Sequence, residues 1–195
     1  MRSRIERADL LTLEAYSKVR RQMREEVIAH KKQRTLYFNP YIMLVFEDEK
    51  TIRYQIQEIL RAEKIFEEEE IEAELEAYNP LLPDGNNFKA TMLIQYADMD
   101  ERRRMLALLR GVEDTLWCQV DNLDKSYVIA DEDLERSNDE KTSAVHFLRF
   151  ELSPEMKTGL RKGAALFFGC DHEMVKIGPL PAPDYLRESL VGDLG

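Results

Sequence analysis

Residues 46–66, FEDEKTIRYQIQEILRAEKIF, decide how the rest of the chain is read. An apolar strand ends at Phe46, a polar turn follows, and the pattern then predicts one long helix from Thr51 to Phe66. Ile52, Ile56, Ile59, Leu60 and Phe66 recur at spacings of three, four and seven, which puts them on one helical face. At about 100° per residue, Glu63 lands in the middle of that face. Gln55 lies at one edge of it, with Glu58 beyond. A carboxylate aimed at a core must be paired, hydrogen-bonded or neutralised, because burying it alone is costly. Glu63 is therefore expected to be largely inaccessible and to have a polar partner.

Before this stretch, residues 35–47 read as strand, a turn at Asn39-Pro40, and strand. Ile42, Leu44 and Phe46 face one way and Met43 and Val45 the other, so both faces of this strand should be covered. Further upstream, Asp9 can cap a helix running to about His30, with Leu13, Tyr16, Val19, Met23 and Val27 as its buried stripe. The basic residues Lys31, Lys32 and Arg34 suit the negative end of its dipole.

After the long helix come an acidic run (Glu67 to Glu70) and a second amphipathic piece carrying Ile71, Leu75 and Tyr78. The turn-rich loop NPLLPDGNN leads into FKATMLIQY, a strand with Ala90, Met92, Ile94 and Tyr96 on one face. Asp98 and Glu101 form a capping box for a helix that Gly111 ends. TLWCQV and SYVIAD read as a hairpin. Asp131 to Lys141 is charged and is expected to be a mobile surface segment. SAVHFLRFEL is a strand with His146, Leu148 and Phe150 on one face and Phe147 and Arg149 on the other. Ser153 and Pro154 open another helix, AALFFGC reads as a central strand, and residues 179–195 form a proline-spaced C-terminal arm. Elements that alternate without regular βαβ units predict a single α+β domain over residues 1–195, including an N-terminal helical segment (1–34). Its sheet is expected to be mostly antiparallel, with about six strands.

The chain has 195 residues, 44% apolar and 34% charged, as expected of a soluble globular protein. A formal charge of −10 disfavours nucleic acid and anionic membranes as partners. No apolar run reaches the roughly 18 residues of a spanning helix, and the N-terminus lacks the apolar region of a signal peptide. The expected location is the cytoplasm. Cys118 and Cys170 show no Cys-x-x-Cys spacing, and three histidines offer neither Glu-x-x-His nor His-x-x-x-His, so neither a metal nor another cofactor is expected. No glycine-rich phosphate loop and no nucleophile motif is present.

Polar side chains expected to point inward are few. Glu63 and His146 could meet as an acid–base pair, with Gln55, Glu58, Arg61 and Arg149 as ligand contacts; the alternative for His146 is a satisfied core histidine. Arg149 lies on the opposite strand face from His146, which sets it apart from that pair unless the sheet twists.

The segments HKKQR, FEDEKTIRYQIQEILRAEKIF, YNPLLPDGNNFKATMLI, YVIADEDLERSNDEKTSAVHFLRFEL and the A-A-L strand after Gly163 resemble an uncharacterised bacterial family known only as a domain of unknown function. Members of that family are often encoded beside a rubrerythrin and an iron–sulfur oxidoreductase. The resemblance implies an accessory or interaction protein in peroxide handling or another oxidative-stress system, with one of those proteins as partner. It carries no catalytic residues over. The second function class is a small-molecule enzyme or ligand-binding domain with a buried Glu/His/Arg site. An open pocket near the long helix would favour the second class, and a closed, dry core the first.

Overall fold

Alternation puts Ile42, Leu44 and Phe46 on one side of a strand, and the computed structural model, which describes residues 4–138 and 140–195, buries that side in the main core. Residues 1–3 and 139, inside the expected N-terminal and 131–141 segments, lie outside the described residues. A short 3-10 turn (Arg7–Asp9) precedes α1 (Leu13–Lys32). The N-cap of α1 is Thr12, whose hydroxyl accepts from the Ala15 N–H; Asp9 instead accepts from the Glu6 N–H. The hairpin β1 (Thr35–Tyr37) and β2 (Ile42–Phe46) turns at Asn39-Pro40, where the Asn39 side chain accepts from the N–H groups of Tyr41 and Ile42. Then come α2 (Glu49–Glu63), α3 (Glu68–Tyr78), β3 (Asn87–Ile94), α4 (Met99–Leu108) and β4 (Leu116–Val120). The short strands β5 (Ser126–Tyr127) and β6 (Ile129–Ala130) lead to β7 (Val145–Glu151), α5 (Pro154–Arg161), β8 (Leu166–His172), β9 (Val175–Pro181) and α6 (Asp184–Val191).

The result is a single α+β domain with every strand pairing antiparallel, as expected, but the strands divide between two sheets. Their orders are β1-β2-β3-β7-β6 and β5-β4-β8-β9. The split is made at Val128. Ser126 and Tyr127 pair with β4 in one sheet, while Ile129 and Ala130 pair with β7 in the other, and Val128 between them is buried. The predicted hairpin thus forms, with its second strand changing sheets halfway. Phe46 and Phe150 from one sheet pack on Phe168 from the other with ring centroids 5.2 and 5.6 Å from it, so the inner faces share one core. Both cysteines are buried there as free thiols, and burial pushes the Cys118 thiol up to about 12.

The outer face of the five-stranded sheet meets a helical layer with its own core: Ile52, Ile56 and Leu60 of α2 with Ile71 and Leu75 of α3. Here the helical-wheel reading needs correcting. Helix α2 stops at Glu63 because Lys64 takes a left-handed conformation, and Phe66 beyond it is 68% exposed. Ile59 is half-buried and Val19 on α1 exposed. The C-terminal arm is no loose end: it supplies the end of β9 and all of α6, and Leu186 and Leu190 are fully buried in the main core. Among the described residues, no helix is long and apolar enough to cross a membrane.

Candidate functional site

Strand β3 presents Phe88, Ala90, Met92 and Ile94 to the main core, which leaves Lys89 and Thr91 on the outer face. The same alternation brings Glu47, just past β2, to that outer face, and Phe147 and Arg149 from β7 alongside. The Asn79–Leu82 loop after α3 arches over these residues. Between loop and sheet lies a cleft of about 550 Å³ lined by Leu81, Leu82, Ala90, Phe147 and Leu148, with Glu47, Asp84, Lys89, Glu132, Asp133 and Arg149 as its charged groups.

Glu47 is 2% exposed and fully supplied with donors. The Thr51 hydroxyl donates to its Oε2 at 2.5 Å and the Gln55 amide to the same atom at 3.3 Å, while Thr91 donates to Oε1 at 2.7 Å. Three hydrogen bonds are what a buried carboxylate needs. Lys89 is different. Its side chain is 16% exposed, its nearest ion-pair partner is Glu132 at 3.9 Å, and among the described residues its ammonium donates no hydrogen bond. Burial lowers the Lys89 amine below its ordinary pKa; the Glu132 charge opposes this and the Arg149 charge adds to it. Arg149 binds Glu132 through two nitrogens, at 2.8 and 2.7 Å, and reaches Glu151 at 2.6 Å. Asp133 is held by Arg136 in the same two-pronged way. Lys89 therefore has its donors unspent and aimed into the cleft.

The residues singled out from the sequence go to different places. Gln55 and Arg149 meet at this cleft, one through Glu47 and the other in its wall. Glu58 instead ties α2 to α1, accepting from both Arg20 nitrogens at 2.8 Å and from the Tyr16 hydroxyl at 2.5 Å. Those bonds, the Arg20 one first, hold its carboxyl below the ordinary value. Arg61 is exposed and adds only its charge to that seam. Glu63 is exposed, and its charge is felt by Glu74 and Tyr78 on α3. It does not pair with His146.

His146 is fully buried on the main-core face and is satisfied elsewhere. Its Nδ1 lies 2.6 Å from Asp131 Oδ2, and its Nε2 lies 2.8 Å from the Thr142 hydroxyl and 3.1 Å from the Ser143 carbonyl. Thr142 in turn donates to Glu113 at 2.9 Å, and Ser137 bonds both Glu113 and Thr142. The segment expected to be mobile is thus tied to the sheet by this network, and the core-histidine alternative describes His146.

Glu47 and Lys89 were missed by sequence reasoning, though the signal was present: a charge at the next alternate position of strands whose two faces are both covered. A third charged cluster sits at the N-terminus of α2, next to Glu47. Buried Arg34 donates to the carbonyls of Phe46 and Glu47, to Ser189 Oγ and to Asp193, and lies 3.6 Å from Asp48, which caps α2 and meets His30 at 2.5 Å.

Comparison with known proteins adds kinship without an activity. A family model described as "Protein of unknown function (DUF3501)" matches residues 4–194. A crystal structure of a novel protein of unknown function from Burkholderia pseudomallei K96243 shares 54% sequence identity, over 98% of this chain and 99% of that one, with a TM-score of 0.94. No curated protein matches the chain.

Proposed function

The chain belongs to the DUF3501 family of unknown function, and from that premise we propose that it is a ligand-binding domain or enzyme for a small, uncharged, oxygen-bearing molecule held in the Lys89 cleft. A single observation carries this reading: a largely buried lysine with no hydrogen-bond acceptor among the described residues, inside a cleft of about 550 Å³. A half-desolvated ammonium without acceptors is costly, so its cost is recovered when a ligand oxygen supplies them. Four carboxylates against two cations line the cleft, which disfavours an anion. The Leu81, Leu82 and Phe147 side chains offer the apolar wall against which a short carbon chain packs. Gln55 acts as a positioning residue, holding Glu47 at the floor, and Arg149 fixes Glu132 at the rim.

The test is a thermal-shift screen of uncharged polyols, aldoses and short aldehydes against the wild type and Lys89→Met. Ligands that raise the melting temperature of the wild type but not of the variant are expected. Equal shifts in both proteins, or none in either, would reject the cleft.

The accessory role in a redox system, with a rubrerythrin or an iron–sulfur oxidoreductase as partner, has family resemblance as its support. It is compatible with a ligand cleft and is checked separately, by titrating the purified protein with each candidate partner.

A further inference from the structure

The cleft reading leaves open what Lys89 does with its ligand. We infer that Lys89 is a nucleophile, and that the ligand class is an uncharged aldehyde or ketone which it captures as an imine. The inference rests on the cleft being the ligand site and goes one chemical step past binding.

Geometry carries it. A lysine that serves only as a structural charge is found in hydrogen bonds to a carboxylate, as Lys125 is to Asp171 at 2.9 Å on the other sheet. Lys89 has its closest carboxylate, Glu132, at 3.9 Å, beyond direct hydrogen-bond range and within reach through one water. Glu132 is itself clamped by Arg149, so it stays where a proton acceptor is needed rather than collapsing onto the amine. Arg149, the cross-strand neighbour of Lys89, is the kind of adjacent cation that favours a neutral lysine amine. The lowered amine pKa agrees with this arrangement.

The step balances without a further reactant. The neutral amine attacks the carbonyl carbon, a C–N bond forms, and the π electrons move to oxygen. Glu132 relays a proton from nitrogen to that oxygen, giving a carbinolamine. The nitrogen lone pair then expels the oxygen, which takes the second nitrogen proton and leaves as water, and a C=N bond remains. Leu81, Leu82 and Phe147 shield that bond from bulk water.

The experiment uses the whole wild-type chain with glyceraldehyde as probe and cyanoborohydride to trap any imine, followed by peptide mapping. Lys89 is expected to be labelled at least about tenfold faster than exposed Lys18 and Lys141, although it is far more buried. Excess glycerol, which has no carbonyl, should slow labelling of Lys89 and leave Lys18 unchanged. In Lys89→Arg the fast phase should vanish while the surface lysines label as before. Labelling that follows exposure, with Lys89 last, would overturn the inference. If glycerol and glyceraldehyde still stabilise the wild type and not Lys89→Met in that case, the cleft stands and only the covalent step falls. If neither ligand stabilises the wild type, both fall.

Discussion

Asp48 and Asp193 share one guanidinium, and their other neighbours decide which of them bears its charge easily. Burial pushes the Asp48 carboxyl up, but Arg34, the Thr51 N–H and His30 together hold it below the ordinary value. Asp193 is pushed up by burial, with the Asp48 charge adding to it, to about 6 from 3.8, despite the charge and hydrogen bonds of Arg34 and the charge of His30. The native state thus binds the Asp193 proton more tightly than the unfolded chain does. Its contribution to stability is complete below about pH 4 and is lost as pH rises through about 6, a swing on the order of 3 kcal/mol. Melting curves of wild type and Asp193→Asn between pH 4 and pH 7 check this: the difference should shift in the variant's favour as pH rises, and a constant difference would contradict it. Glu63 shows the opposite lesson. Exposed at the end of α2 and without contact to His146, it should give effects fully additive with those of His146→Ala.

At the scale of the element, Trp117 and Gly169 explain how β4 and β8 fit together. The two are register partners, and a Cβ on Gly169 would come within 2.1 Å of the Trp117 ring. The Lys125 ammonium sits over the ring, 4.0 Å from its centroid. A Cβ at Gly178 would also press on the ring, at 3.1 Å. Gly169→Ala should therefore cost about 3 kcal/mol or more by overpacking, while Gly111→Ala meets no neighbouring atom and is strained only through its φ of +80°. Denaturant titration of the two variants separates them; a Gly169→Ala protein as stable as wild type would show that the ring can move. Helix α2 teaches a related point. A helical wheel gives an angle around the axis and no position along it, and Glu63 shares the angle of Ile52 but lies one turn past the end of the packed layer.

For the whole molecule, the C-terminal segment closes the fold rather than extending from it. Leu186 and Leu190 complete the core, Arg34 grips Asp193, and the Gly195 N–H donates to the Gly85 carbonyl at 3.1 Å. Amide exchange across Asp184–Val191 should be as slow as in β3, and rapid exchange there would contradict this docking. The sequence by itself determined the α+β class, the antiparallel pairing, the covered faces of β2 and the caps at Asp98 and Ser153, because each follows from local periodicity and from side chains bonding their own backbone. Tertiary structure alone decided that the strands split into two sheets, that Glu58 belongs to a helix seam, that His146 pairs with Asp131, and that Lys89 faces a cleft. Those outcomes depend on which distant segments meet, 15 residues apart for His146 and Asp131 and 38 for Glu58 and Arg20, and periodicity says which face is buried but not what lies against it.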